Sequence, residues 1–138
     1  MRRLPIIGSM LLACSVVLLA APKQPKIVVH GPTIIAFFSP VTQAELDHNT
    51  GGANEALSDF QFHAAQVREP FSKSAIAFHE IYARSFRVTL GSHTIIFRPE
   101  KVEVGYYLVA PGKEPRVEYG VMTDTDLLGV AREYFGSK

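Results

Sequence analysis

The single cysteine of this 138-residue chain, Cys14, sits inside an apolar N-terminal segment, so everything after it must fold without a thiol. Disulfide staples and cysteine-ligated metals are excluded for the body of the chain. Roughly 115 residues follow the apolar segment, which suits one domain with one core.

The first residues read Met-Arg-Arg-Leu-Pro-Ile-Ile-Gly-Ser-Met-Leu-Leu-Ala-Cys-Ser-Val-Val-Leu-Leu-Ala-Ala-Pro. Arg2 and Arg3 precede an uncharged apolar run from Leu4 to Ala21, the pattern of an export signal. At roughly 18 residues the run is also at the short end of what spans a bilayer, so a retained anchor is the competing reading. In both cases the charges place the N-terminus in the cytoplasm and export the body, to the periplasm or the outside. Cleavage after Ala20 or Ala21 would put a leucine at the third position before the cut. A third reading takes Leu11-Leu12-Ala13-Cys14, which resembles a bacterial lipobox, with Cys14 lipidated. Against it, Ser15 to Ala21 stays apolar.

Of the 14 basic residues, Arg2 and Arg3 lie in that segment. Residues 22–138 therefore carry 12 basic against 13 acidic side chains, a formal charge of −1. Arg84, Arg87, Arg98, Arg116 and Arg132 are interleaved with acids such as Glu80, Glu100, Glu103 and Glu133. Such a domain has no general attraction for a phosphate backbone, and nucleic-acid binding is disfavoured.

The expected organisation is a signal or anchor over 1–21, a linker over 22–32 containing Pro22 and Pro25, and a domain over 33–136. The run Thr33-Ile-Ile-Ala-Phe-Phe38, bounded by Gly31-Pro32 and Ser39-Pro40, predicts a buried central strand. Val41 to Gly52 carries turn-forming Asp47, Asn49, Gly51 and Gly52 and predicts a loop. Leu57, Phe60, Ala64, Val67 and Phe71 recur every three or four residues, the stripe of a helix that Pro70 ends or kinks.

A strand is expected over Ser74 to Ala83, and Phe86 to Leu90 pairs with His93 to Phe97 through Gly91-Ser92, where glycine first suits a type II′ turn. Val104 to Ala110 and Arg116 to Val121 predict a second antiparallel pair. Thr123 caps a helix whose first turn holds Asp124 and Asp126; Leu127, Val130, Ala131 and Tyr134 form its stripe and Gly136 its stop.

A strand, a Gly-containing hairpin, a strand ending in glycine and a capped helix, carried by Gly105-Tyr-Tyr-Leu-Val-Ala-Pro-Gly-Lys and Tyr119-Gly-Val-Met-Thr-Asp-Thr-Asp-Leu-Leu, resemble the C-terminal half of thioredoxin-like domains. The first strand and the Pro-kinked helix fit the same family. The resemblance covers most of residues 33–135. It implies an α/β three-layer sandwich with a central mixed sheet of about five strands and flanking helices, a generic α+β domain being the fallback. Where the family carries Cys-x-x-Cys, this chain has Ser39-Pro40-Val41-Thr42, and the family's cis-proline is represented by Gly105 or absent. Thiol-disulfide exchange is thereby excluded.

The function this implies is a non-catalytic protein-binding or scaffolding module of the cell envelope, with no cofactor and no nucleic acid, touching the membrane only through its N-terminal segment. Its binding face is the lost active-site region, through Ser39, Pro40, Thr42, Phe62 and Gly105. The alternative is a non-redox hydrolase or a metal- or ligand-binding envelope protein. For the hydrolase, Ser39 lies after a strand, where α/β folds place ligands, but no Gly-x-Ser-x-Gly elbow surrounds it. For a metal, Asp59 and His63 are one helical turn apart with His48 in the preceding loop, yet no His-Glu-x-x-His is present. A further alternative, a small ligand-binding or envelope-associated protein, uses the 86–97 hairpin as an edge strand for another chain, with Arg84, Arg87 and Arg98 framing an anionic ligand or a partner's acids. Tyr106 and Tyr107, adjacent on a strand, are expected to put one ring in the core and one hydroxyl outward.

Overall fold

All six residues of Thr33–Phe38 are buried, which requires that both faces of this strand be covered. The computed structural model describes residues 24–39, 52–99 and 104–136 and shows what covers them. In chain order the elements are β1 (Lys26–Val29), β2 (Thr33–Phe38), α1 (Gly52–Phe71), β3 (Ala77–Tyr82), β4 (Phe86–Leu90), β5 (His93–Phe97), β6 (Val104–Val109), β7 (Arg116–Tyr119) and α2 (Asp124–Phe135). Among the described residues no helix is long and apolar enough to cross a membrane.

The strands form two sheets. A four-stranded sheet has the order β3-β2-β6-β7, with β3 parallel to β2 and the other pairs antiparallel. A three-stranded sheet has the order β1-β4-β5, with β1 parallel to β4 and β4 antiparallel to β5. The chain is thus a mixed α/β structure compatible with an α+β description.

Alternation along β2 and β6 divides the core. Ile34, Ala36, Phe38, Tyr106 and Leu108 meet Phe60, Ala64, Val67 and Phe71 of α1 and Leu127 and Ala131 of α2. Ile35, Phe37, Tyr107 and Val109 turn to the other side and meet Ile27, Val29, Phe86 and Val88 of the three-stranded sheet. Each fully buried large apolar side chain contributes on the order of 1.5–3 kcal/mol, so β2 is stabilised from both sides.

The expected central sheet of about five strands is therefore corrected to one of four strands, backed on one face by a second sheet. The 86–97 hairpin is formed, but it pairs with β1 and lays Phe86 and Val88 flat against the first sheet instead of extending it edge to edge. Both helices pack on the opposite face. β1 lies within the stretch 22–32 that composition marks as a linker, and its Ile27 and Val29 are buried. The prolines at 22 and 25 precede this four-residue strand, whose alternation is too short to stand out.

Local chemistry places the element ends. Pro70 lies in the last turn of α1, which stops one residue later, where the Ser72 N–H donates to the carbonyl of Arg68 at 3.1 Å. The Ser74 hydroxyl accepts from the Ile76 N–H at 3.1 Å and donates to the Phe71 carbonyl at 3.0 Å, a local turn that delays β3 to Ala77. In the two-residue loop between Leu90 and His93, Gly91 has φ 57° while Ser92 does not take a positive φ, as a type II′ turn requires. The Thr123 side chain accepts from the Asp126 N–H at 3.2 Å, the expected cap of α2.

Tyr106 and Tyr107 do face opposite ways, but both rings are buried, because helices cover one face of β6 and a sheet covers the other. The expectation of an outward hydroxyl is corrected accordingly. The expected loop over Val41 to Gly52 lies outside the described residues except for Gly52, the first residue of α1.

Candidate binding face

β2, β3 and β7 all end at one edge of the four-stranded sheet, and β6, which runs the other way, begins there. The edge is assembled from Phe38 and Ser39, Tyr82, Val104 and Gly105, and Tyr119 to Val121. In open α/β sheets this carboxyl edge is the usual place for ligands.

Ser39 follows β2 directly and is buried. Among the described residues no histidine is hydrogen-bonded to it. Pro40 and Thr42, its neighbours in the expected face, lie outside the described residues, as do His48 and Cys14.

Gly105 pairs with Phe37 on one side and Tyr119 on the other. A Cβ there would lie 2.4 Å from the Glu118 carbonyl oxygen and 2.9 Å from Phe37 Cζ. The position is closed to a side chain because the Phe37 ring crosses it to meet Tyr119, centroids 6.0 Å apart and edge to face. A cis-proline is not found at this point, since the described residues contain no cis peptide bond.

Two aromatic clusters run out to this edge. On the helix side Phe38, Phe60 and Tyr82 are in mutual contact, with centroids 5.7 to 6.5 Å apart. On the sheet side Phe37, Phe86, Phe97 and Tyr107 pack together, and Phe37 carries the contact to Tyr119. Each cluster ends in a half-exposed tyrosine, Tyr82 at 44% and Tyr119 at 47%, and Val121 is exposed beside the second. Tyr82 and Tyr119 stand on the two outer strands, three interstrand spacings or about 14 Å apart. The Tyr82 hydroxyl donates to Glu80 Oε1 at 2.9 Å, and Glu80 is also paired with Arg68, which holds the ring in place.

Phe62 is not brought to this edge. It lies two residues, or about 200°, around α1 from Phe60, is 62% exposed, and touches only the neighbouring His63 ring edge to face at 5.5 Å among the ring contacts of the described residues. Asp59 and His63 do share one turn of α1, but among the described residues no group of three His, Cys, Asp or Glu side chains is gathered to hold a metal ion.

Titration shifts are concentrated in the core and at its borders. Burial raises the Tyr106 phenol, against a weak opposing hydrogen bond from the Met122 N–H. Burial pushes Tyr107 up to about 12, with Tyr134 and Glu114 adding to it. Burial also raises Tyr134, whose hydroxyl donates to the Glu114 carbonyl at 2.8 Å and so ties the β6–β7 turn to the end of α2. Arg116 is held charged by its hydrogen bond to Glu118, with Glu133 also contributing. Among the described residues these shifts follow from packing and ion pairing.

Of the described residues at this edge, the sequence names Ser39 and Gly105 as candidates, whereas Tyr82, Tyr119 and Val121 emerge from the structure. The signal was present: two strands that end on tyrosine, one directly before Gly120, at positions that β2 and β6 bring to a single edge. No family model, no curated protein and no solved structure matches the chain.

Proposed function

We propose that the chain is a divergent thioredoxin-like domain, exported behind residues 1–21, that serves as a non-catalytic binding module for a protein partner in the cell envelope. The observation that carries the reading is the convergence of both aromatic clusters on half-exposed Tyr82 and Tyr119 at the carboxyl edge. Tyrosines rigidly backed by buried rings present large contact area at low entropic cost, as interface anchors do.

The family resemblance is supported by the order of elements: β6, a turn, β7 ending at Gly120 and the Thr123-capped α2 follow one another and pack on the sheet that also holds β2 and β3. Replacement of the Cys-x-x-Cys pair by Ser39-Pro40-Val41-Thr42 removes the redox step and leaves the face. A hydrolase built on Ser39 would need a presented hydroxyl, whereas this residue is buried.

Native mass spectrometry of the full-length protein purified from its own envelope fraction tests the proposal. The expected spectrum contains a complex of this chain with another protein, lost in the double variant Tyr82→Ser/Tyr119→Ser. A stoichiometric metal or small molecule in place of a protein partner would refute it.

A further inference from the structure

The outer face of the three-stranded sheet combines cations with exposed apolar side chains. Alternation turns Ile27, Val29, Phe86 and Val88 inward and leaves Lys26 and Val28 of β1, Arg87 and Thr89 of β4, and Thr94 and Ile96 of β5 on the opposite side. Val28 and Ile96 are 48% and 51% exposed. The six residues include two cations, two β-branched apolar side chains, two threonines and no carboxylate.

On other faces two described arginines are paired with acids, Arg68 with Glu80 and Arg116 with Glu118 and Glu133. Here Arg87 Nε donates to Gln24 Oε1 at 2.9 Å, a neutral amide that orients the guanidinium without cancelling its charge. In a domain whose formal charge from 22 onward is −1, a carboxylate-free face concentrates the positive potential on one side.

The chain itself says what this face meets. The uncharged run Leu4 to Ala21 ends five residues before Lys26, and Lys23 falls between them. Fully extended, that stretch spans at most about 17 Å. If residues 4–21 lie in a bilayer, β1 begins no more than about 17 Å from the hydrocarbon edge, roughly 10 Å beyond a headgroup layer about 5–8 Å deep, and its sheet is the part of the fold that the tether holds nearest the membrane.

We propose that the outer face of the β1-β4-β5 sheet docks on an anionic lipid surface, Lys26 and Arg87 facing the headgroup phosphates and Val28 and Ile96 entering between the headgroups. The inference rests on the reading of residues 1–21 as a retained anchor. Docking holds the domain in one orientation and leaves the helical layer, on the far side, facing away from the membrane. Each cation brought close to such a surface shifts the docked population about fivefold, and added salt weakens the shift.

The chain has no tryptophan, so one introduced on the face is a clean reporter. Full-length Thr94→Trp is reconstituted in vesicles of phosphatidylcholine, alone or mixed with phosphatidylglycerol, with headgroup-proximal brominated lipid as quencher. Docking predicts a blue-shifted, quenched emission in the mixed vesicles only, reversed by salt. Adding Arg87→Glu, a change of two charges, lowers the docked-to-free ratio by about thirtyfold. Lys26→Glu acts in the same direction, and Ser58→Trp on α1 stays unquenched throughout. Equal emission in both vesicle types, insensitivity to Arg87→Glu and Lys26→Glu, or equal quenching at Ser58→Trp overturns the proposal. A chain that does not float with neutral vesicles, or whose mature N-terminus follows Ala21, overturns it through its premise and leaves partner binding at the tyrosine edge standing.

Discussion

Replacing Gly105 by alanine adds a single methyl group to β6, at a glycine where a Cβ meets neighbours within 4 Å. That carbon would sit 2.4 Å from the Glu118 carbonyl oxygen, 2.9 Å from Phe37 Cζ and 3.1 Å from Tyr119 Cα, whereas ordinary contact begins at 3.4 Å. Relief needs about 1 Å of movement between β6 and β7, in backbone rather than in a flexible side chain. Overpacking of this kind costs on the order of 1–3 kcal/mol, and the upper part of that range applies where backbone must yield. The smaller conformational entropy of unfolded alanine returns about 0.4–1 kcal/mol, so the net loss is about 2 kcal/mol. With a urea m-value of about 1.5 kcal/mol/M for a domain of this size, the midpoint falls by about 1.3 M. Gly129 provides the control, since it lies in α2 with nothing within 4 Å of its Cβ position. There the same methyl group favours the helix by about 0.5–1 kcal/mol and raises the midpoint by roughly 0.5 M. Equilibrium urea unfolding followed by far-UV circular dichroism reads both. A Gly105→Ala midpoint equal to or above wild type would refute the close packing of Phe37 and Tyr119 across the edge.

Tyr107 has its folded pKa raised to about 12 from an ordinary 10, so its contribution to stability is complete below pH 10 and is lost as the pH rises through about 12; urea titrations at stepped alkaline pH should show about 2–3 kcal/mol of this loss removed in Tyr107→Phe. Thr123→Ala deletes the acceptor for the Asp126 N–H and should lower stability by about 1 kcal/mol, with Thr123→Ser restoring most of it; a loss below about 0.3 kcal/mol contradicts the cap. Phe60→Ala and Phe62→Ala should separate sharply although the residues are two apart: about 3–4 kcal/mol for the buried ring, against a change within about 0.5 kcal/mol for the exposed one, read from thermal and urea midpoints.

The parts of the fold legible in the sequence are those with long or punctuated patterns. The stripe Leu57, Phe60, Ala64, Val67 and Phe71 identifies α1, Gly91-Ser92 identifies its hairpin, and Thr123 with Gly136 brackets α2. The layering was less legible, because hairpin β4–β5 has the same local pattern whether it extends a sheet or lies across one. β1 decides between them by pairing with β4, a contact separated by about sixty residues that no local pattern records. At the candidate face, Ser39 and Gly105 were readable from their place after β2 and at the start of β6. Tyr82 and Tyr119 become a pair only when the order β3-β2-β6-β7 brings their strands' ends to one edge. The same order leaves Phe62, an expected member, on the outer surface of α1.

Binding at the carboxyl edge is tested most directly by placing a photo-crosslinking phenylalanine analogue at Tyr119, at Tyr82 and, as a control, at Gln66 on the exposed side of α1, and irradiating intact cells that carry the full chain. The account predicts one discrete protein adduct shared by positions 82 and 119, absent at 66, and lost from position 119 when Tyr82 is also changed to Ser. Adducts of equal pattern and yield at all three positions, or adducts at 66 alone, would contradict it.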